Sequence, residues 1–443
     1  MFPLCAYAAS MTSRAAAPEA SVSLARPGLD NTWVRRQFPS LELRVADQPV
    51  AYFDNPAGTQ VPLRVVDQMR DYFLHANANT HGDFLTSRRT DQWVARAREL
   101  GAAFLGARSA TEIAFGSNMT TVTYAMSRAL ARGWAPGDEV IVTDLDHDAN
   151  ISPWQDLAER GLVIRRIPLS AANATLDLEA FERLLSRKTR LVAVGYASNA
   201  LGTINDIPRV ARLARAAGAR VWVDAVHYAP HGPIDVQALG ADFLVCSAYK
   251  FFGPHLALLW GKSELLDELR AHQVRPAPRS SPEKLETGTK NHEGLAGLVG
   301  AFEYLMELGG GTDSNGQKPG AARAALLRSM QAIRAYEVEL MAQLLDGLMQ
   351  VPGLRLFGIA RAEQLRERVP TFGFTLAGLE SSEVSRRLAE QGVFTWAGNH
   401  YALTLMERLG LSEQGGVVRV GAVHYNTPAE VERLLGALCA IAR

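Results

Sequence analysis

The stretch Val221–Gly253, VWVDAVHYAPHGPIDVQALGADFLVCSAYKFFG, decides the fold. It holds two short apolar runs, Val221–Asp224 (VWVD) after Gly218 and Phe243–Cys246 (FLVC) after Gly240-Ala241-Asp242. Both are too apolar for a sheet with one wet face and read as strands covered on both sides. Working outward, the pattern repeats. Val140–Thr143 (VIVT) follows the turn Pro136-Gly137-Asp138, and Leu191–Tyr196 (LVAVGY) is another short apolar run. Helical patterns at Leu178–Leu185 and Ile207–Ala217 lie between such runs. Short apolar strands alternating with amphipathic helices predict an α/β fold with a mostly parallel sheet between helices.

In open α/β sheets, ligands bind at the carboxyl edge of the strands. Asp224 ends one predicted strand, and Lys250 follows another after Ser247-Ala248-Tyr249, flanked by Phe251, Phe252 and Gly253. A lysine is ordinarily a solvated surface residue. Apolar surroundings lower its pKa and leave a neutral, nucleophilic amine, fit to form a Schiff base with a carbonyl. A carboxylate at a neighbouring strand end can keep a pyridine nitrogen protonated, which makes the ring a better electron sink. Lys250 and Asp224 therefore suit pyridoxal 5'-phosphate (PLP), with a structural Asp–Lys ion pair as the competing account.

The Asp-x-x-His and Ser-x-Tyr-Lys patterns of this stretch resemble the class V aminotransferase family of fold-type I PLP enzymes, and most of all its cysteine desulfurase-like branch. The resemblance runs from about Asp54 to Pro428 through ordered motifs: YFDNPAGTQ (Tyr52–Gln60), NTHGDFLTSR (Asn79–Arg88), FGSNMTT (Phe115–Thr121), DHDANISPWQ (Asp146–Gln155), SNALGTI (Ser198–Ile204), ETGTKN (Glu286–Asn291) and RVGAVHYNT (Arg419–Thr427). It implies a large domain with a mostly parallel, seven-stranded-type sheet and a small α+β C-terminal domain. It also implies roles. Lys250 carries the cofactor, with Asp224 on the ring nitrogen and His147 stacked on the ring as a second catalytic residue. Asn199 and His227 approach the phenolic oxygen. The backbone of Ser117, Asn118 and Met119, with Thr120 in reserve, binds phosphate at a helix N-terminus, where free amides favour anions. A plain helix cap would use the same residues. Ser247 and Tyr249 assist, Tyr249 standing where desulfurases have His. Thr289 reaches the phosphate of a neighbouring subunit, implying a homodimer with shared sites. Arg419 clamps the substrate α-carboxylate with its planar fork, and Asn199 and Tyr401 complete the substrate site.

The resemblance breaks at Thr395–Ala402 (TWAGNHYA), where Tyr401 occupies the position of the desulfurase nucleophile and Trp396 that of an arginine. Cys246 lies in an apolar strand and Cys439 in a helical pattern; buried cysteines usually act as small hydrophobes. The expectation is thus an enzyme acting on an amino acid through an external aldimine and α-proton abstraction by Lys250, first as a C–S lyase by β-elimination. An epimerase, an aminotransferase, or a desulfurase using another thiol remain open. A dinucleotide-binding dehydrogenase would need a GxGxxG after its first strand, which is missing.

Composition agrees with an enzyme of small molecules. The 443 residues carry 46 basic and 46 acidic side chains, so no basic excess points to nucleic acid or an acidic membrane. No apolar run approaches the roughly 18 residues of a spanning helix. The cysteines Cys5, Cys246 and Cys439 are scattered, with no metal or disulfide pattern, which suits a reducing cytoplasm. No metal is expected. Residues 1–25 read as a disordered extension and 26–54 as a segment packing on the small domain. Residues 55–308 read as the PLP-binding domain, and 309–320 (GGGTDSNGQKPG) as an exposed loop. Residues 321–443 form the small domain, opened by a long helix over Ala321–Leu348 that Pro352-Gly353 ends.

Overall fold

The computed structural model describes residues 29–45, 47–170, 172–311 and 320–443. The extension expected over 1–25 and most of the loop expected over 309–320 lie outside them. Seven strands form the central sheet: β1 (Ile113–Gly116), β2 (Glu139–Thr143), β3 (Val163–Ile167), β4 (Thr189–Gly195), β5 (Arg220–Asp224), β6 (Phe243–Ser247) and β7 (Ala257–Gly261). Their order is β1-β7-β6-β5-β4-β2-β3. All neighbouring pairs are parallel except those made by β7, which runs antiparallel to β1 and β6.

Alternate side chains explain the apolar runs. Along β4 and β5, Val192, Val194, Val221 and Val223 point into one buried cluster, while Leu191, Ala193 and Trp222 point into another on the opposite face. Each face is closed by helices, so period-two patterning gives no polar positions. Burying one such Val or Leu side chain is worth about 1.5–3 kcal/mol. Trp222 meets Trp154 edge to face at 5.5 Å between ring centroids.

The helix Ala321–Gln350 leads to a four-stranded antiparallel sheet, ordered β8 (Leu354–Phe357), β9 (Thr371–Leu376), β11 (Val417–Gly421) and β10 (Trp396–Gly398). A separate apolar core lies between this sheet and the helices Ala321–Gln350, Ser381–Glu390 and Pro428–Ile441. The segment before Asp54 packs on this part of the chain: Ala51–Tyr52 pairs in parallel with Val393–Phe394, and Arg35 donates to the Tyr425 carbonyl (2.8 Å) and Glu430 (2.9 Å). The cavity described next lies where the carboxyl edge of the large sheet meets β10 and β11.

Candidate active site

A cavity of about 500 Å³ is lined by residues following five strands of the large sheet and by β10, β11 and the turn after Asp54. It brings together Lys250, Asp224, His147, His227, Asn199, Asn118, Met119, Ser247, Tyr249, Tyr401 and Arg419. Thr120, Asp146, His400 and Trp396 join them.

Lys250 ends the short turn Ala248–Lys250 that follows β6. Its amine donates to the carbonyls of Pro56 and Ala57, the latter at 2.8 Å. The backbone behind it is tightly held. Phe252 sits in the left-handed region at φ 69°, unusual for a bulky residue, and its N–H donates to Thr59 Oγ1 (2.9 Å). A Cβ on Gly253 would come within 2.9 Å of Ala248 Cβ, so the chain turns there on a glycine. Burial pushes the Lys250 amine down to about 7, helped by Arg419 and opposed by Asp54 and Asp224.

Asp224 closes β5, and its Oδ1 accepts the Val226 N–H at 2.8 Å. Burial lifts it to about 7, with neighbouring Asp146 adding to the rise. Asp146, in the motif DHDANISPWQ, is a site residue that the sequence alone does not assign. It follows β2, its Oδ2 accepts from Asn150 Nδ2 and from the Gly195 N–H (both 2.8 Å), and burial lifts it to about 6. A Cβ on Gly195 would lie 2.8 Å from Asp146 Oδ1, so the glycine makes room for this carboxylate.

His147 accepts the Ala149 N–H on Nδ1 (3.0 Å). Burial first, then Lys250 and Arg419, lower its pKa to about 3, so the ring is neutral. Its face stacks on Tyr401, with centroids 5.4 Å apart and planes at 17°. His227 meets Thr371 Oγ1 at 3.0 Å and is held neutral by burial and by nearby His231. Asn199 Nδ2 donates to the His400 carbonyl (2.8 Å), while its buried Oδ1 has no partner. Arg419 on β11 is buried, pairs with Asp54 (3.3 Å) and donates to the Asn199 carbonyl (3.2 Å); its Nε has no partner. Asp54 is the second residue that sequence reasoning left without a role.

The phosphate candidates divide. Asn118 caps the helix Met119–Leu130, its side chain accepting the Thr121 N–H, and both Asn118 and Met119 line the cavity. The Met119 N–H lies 3.2 Å from Ser247 Oγ, so the hydroxyl stands at the helix N-terminus. Tyr249 stacks on His255 at 4.8 Å, and its ring centroid is 5.0 Å from the Lys250 amine. Ser117 and Thr289 do not join them. Both line an adjoining cavity of about 300 Å³ between the turn after β1 and the loop Leu285–Asn291. Asn118 and Met119 thus line the Lys250 cavity, and Ser117 the adjoining one.

The donor set suits PLP. A lysine amine pushed down to about 7, a buried carboxylic group, a helix N-terminus with a hydroxyl beside it, and an unpartnered buried Asn199 oxygen surround one cavity. Among the described residues, no group of His, Cys, Asp and Glu could hold a metal ion.

Comparison with known proteins agrees. The family model for Aminotransferase class-V matches residues 51–434. A cysteine desulfurase of Synechococcus elongatus is 34% identical over 431 residues, 93% of this chain and 63% of that protein. The chain thus spans less than two thirds of that relative's length. It covers 96% of a cysteine desulfurase of Dickeya dadantii, with 33% identity over 426 residues and 93% of this chain. The crystal structure of the Escherichia coli cysteine desulfurase CsdA, in an S-sulfonic acid form, superposes with a TM-score of 0.77 at 29% identity, covering 92% of this chain and 97% of that one. The chain belongs to the class V aminotransferase family and is a cysteine desulfurase-like, PLP-dependent enzyme of fold type I.

Proposed function

We propose that this enzyme is a lyase that breaks the Cβ–S bond of a cysteine-derived amino acid by elimination, with no sulfur-accepting thiol among the described residues. The observation that carries this reading is the loop after β10. Tyr401, not a cysteine, stands there against His147, and no cysteine among the described residues lines the cavity. Cys246 is buried in β6, and burial pushes its thiol far up. Cys439 lies on the helix Pro428–Ile441.

The cofactor, when bound, supplies an electron sink that acidifies the substrate α-proton. The chain supplies the rest. Asp224 would hold the proton of the ring nitrogen, and the neutral His147 would pack on the ring. His227 and Asn199 would meet the phenolic oxygen. The helix N-terminus at Asn118 and Met119, with the Ser247 hydroxyl that accepts the Met119 N–H and the Tyr249 hydroxyl, would take the phosphate. Arg419, kept charged by Asp54, orients the α-carboxylate. Lys250, an amine with pKa about 7, accepts the α-proton and returns it to the departing sulfur. Water completes the conversion to pyruvate and ammonium. The placement of Thr289 away from the Lys250 cavity of its own chain supports its service in a partner's site, hence a homodimer. Scattered cysteines support a cytoplasmic setting, and no helix among the described residues is long and apolar enough to cross a membrane.

The test is product analysis with L-cysteine and S-alkyl cysteines. Elimination gives thiol or sulfide and pyruvate in equal amounts. Alanine with persulfide on the protein would establish desulfuration instead. Exchange of the α-proton with inversion, or amino transfer to a keto acid, would establish the epimerase or aminotransferase reading.

A further inference from the structure

We propose that Trp396 and Tyr401 form an aromatic clamp for the sulfur substituent, so that the substrate class is neutral aryl or arylmethyl cysteine conjugates and not free cysteine. This rests on the elimination reading above and narrows it. The two rings are among the most exposed large apolar side chains of the described chain, at 59% and 73%, and both line the cavity that holds Lys250 and Arg419. Large apolar groups left open at a cavity rim mark a contact surface.

Their placement is built. Trp396 is the direct register partner of Arg419 across the antiparallel β10–β11 pair, so the indole and the guanidinium leave the same face of the sheet. The indole therefore stands beside the group that grips the α-carboxylate. Tyr401 is presented by two consecutive residues in the left-handed region, His400 at φ 53° and Tyr401 at φ 55°. Neither is a glycine, and such a pair persists only when surroundings hold it. Here they do. Tyr401 N–H donates to Asn399 Oδ1 (2.9 Å), and its carbonyl accepts the Asp148 N–H (2.6 Å). The His400 carbonyl accepts from Asn199, and its ring meets the Val417 carbonyl at 3.1 Å. Leu403 N–H donates to Asp148 Oδ2 (3.1 Å). The result fixes the phenol ring parallel to His147 with its outer side open.

An aromatic substituent on sulfur would stack on these rings, whereas the bare thiol of cysteine would leave both faces wet. A cationic substituent is disfavoured by Arg419 beside Trp396. The chemistry balances without an oxidant. The Cβ–S bond breaks with its electron pair on sulfur, the α-proton passes through Lys250 to give the free arylthiol, and water yields pyruvate and ammonium.

The experiment compares S-benzyl-L-cysteine, S-methyl-L-cysteine and L-cysteine on the PLP-loaded enzyme, with pyruvate release and spectral titration of the cofactor as separate readouts. The S-benzyl substrate should exceed S-methyl in kcat/KM by about tenfold or more, mainly through KM, as expected from two stacking contacts. Trp396→Ala and Tyr401→Ala should each lower that ratio about threefold or more. Tyr401→Asn, whose residue tolerates the left-handed backbone, should do the same and guards against a disturbed loop. A ratio near one, or one unmoved by the variants, overturns the clamp even if pyruvate appears. If no substrate yields pyruvate, the elimination reading fails, and the titration alone decides: tighter binding of the S-benzyl compound, lost in the variants, upholds the clamp, and equal binding overturns it.

Discussion

The amine of Lys250 should behave unlike any exposed lysine of this chain, and the difference can be measured before any substrate is known. An ordinary lysine titrates at 10.5, while burial in the cavity lowers Lys250 to about 7. At pH 7.5 an ordinary lysine is roughly 0.1% neutral, whereas an amine with pKa near 7 is roughly three-quarters neutral, a gain of several hundredfold. The perturbation is pH alone, applied to cofactor-free protein. The assay is trace acetylation followed by peptide mass spectrometry, with exposed Lys188 as internal reference. Because the charged form is the one disfavoured, Lys250 reactivity should rise about tenfold per pH unit below 7 and level above it. Asp54 and Asp224 both hold the value up, so Asp224→Asn should move the bend to lower pH. If Lys250 reactivity keeps climbing about tenfold per pH unit through pH 9 with no bend near 7, its amine is solvated and the reasoning fails.

The same groups shape stability in the cofactor-free protein. Asp224, lifted from 3.8 to about 7, holds a proton that the unfolded chain releases, so its contribution falls with pH from about 4 to 7. Lys250 has released a proton that the unfolded chain keeps, so its contribution rises from about 7 to 10.5. The gain in Tm on adding PLP should peak near pH 7; a gain that is flat from pH 5 to 9 would contradict this. Arg419→Lys keeps a partner for Asp54 but loses the planar fork. It should raise KM for the amino acid about 10- to 150-fold, the equivalent of ~1.5–3 kcal/mol for a charge-assisted pair, and an unchanged KM would remove Arg419 from the substrate site. Asp224→Asn should lower single-turnover pyruvate release by ~10²–10³-fold. Behind the site, Glu337 is fully buried and meets His231 Nδ1 at 2.9 Å. Glu337→Ala should cost about 3 kcal/mol in denaturant unfolding, and Glu337→Gln, which can keep the hydrogen bond, distinctly less.

The large sheet was legible because both of its faces are dry. Strands such as Val221–Asp224 and Phe243–Cys246 are short apolar blocks ended by a polar residue, and the structure extends them by only a residue: β5 starts at Arg220 and β6 ends at Ser247. The strand expected at Val140–Thr143 starts one residue earlier, and the one expected at Leu191–Tyr196 runs Thr189–Gly195. The long helix expected to stop at Leu348 continues to Gln350, since Val351 is the first residue to leave helical geometry. The strands β1, β3 and β7 went unread, β3 because this edge strand, VIRRI, carries Arg165 and Arg166. Four or five apolar residues carry no period of their own, and β7 is antiparallel to both neighbours, which the alternation of strands and helices cannot signal.

What sequence could not supply was pairing at long range. Asp54 and Arg419 meet across 365 residues of chain, and Asp146 acquires its altered acidity from burial in the folded protein. The split of the phosphate candidates has the same origin: a helix N-terminus is visible in FGSNMTT, but which cavity each of its first residues lines depends on how the helix docks. Tyr401 was visible as a departure from a pattern; its stacking on His147 and its left-handed backbone were not.

The account stands on Lys250 as the residue that carries the cofactor. Borohydride reduction of the PLP-loaded protein, followed by peptide mass spectrometry, tests this directly. The account predicts one pyridoxyl-modified peptide, carrying the label on Lys250, and no label in the Lys250→Ala protein. A label on another lysine with Lys250 unmodified, or a protein that takes up no cofactor at all, would contradict it.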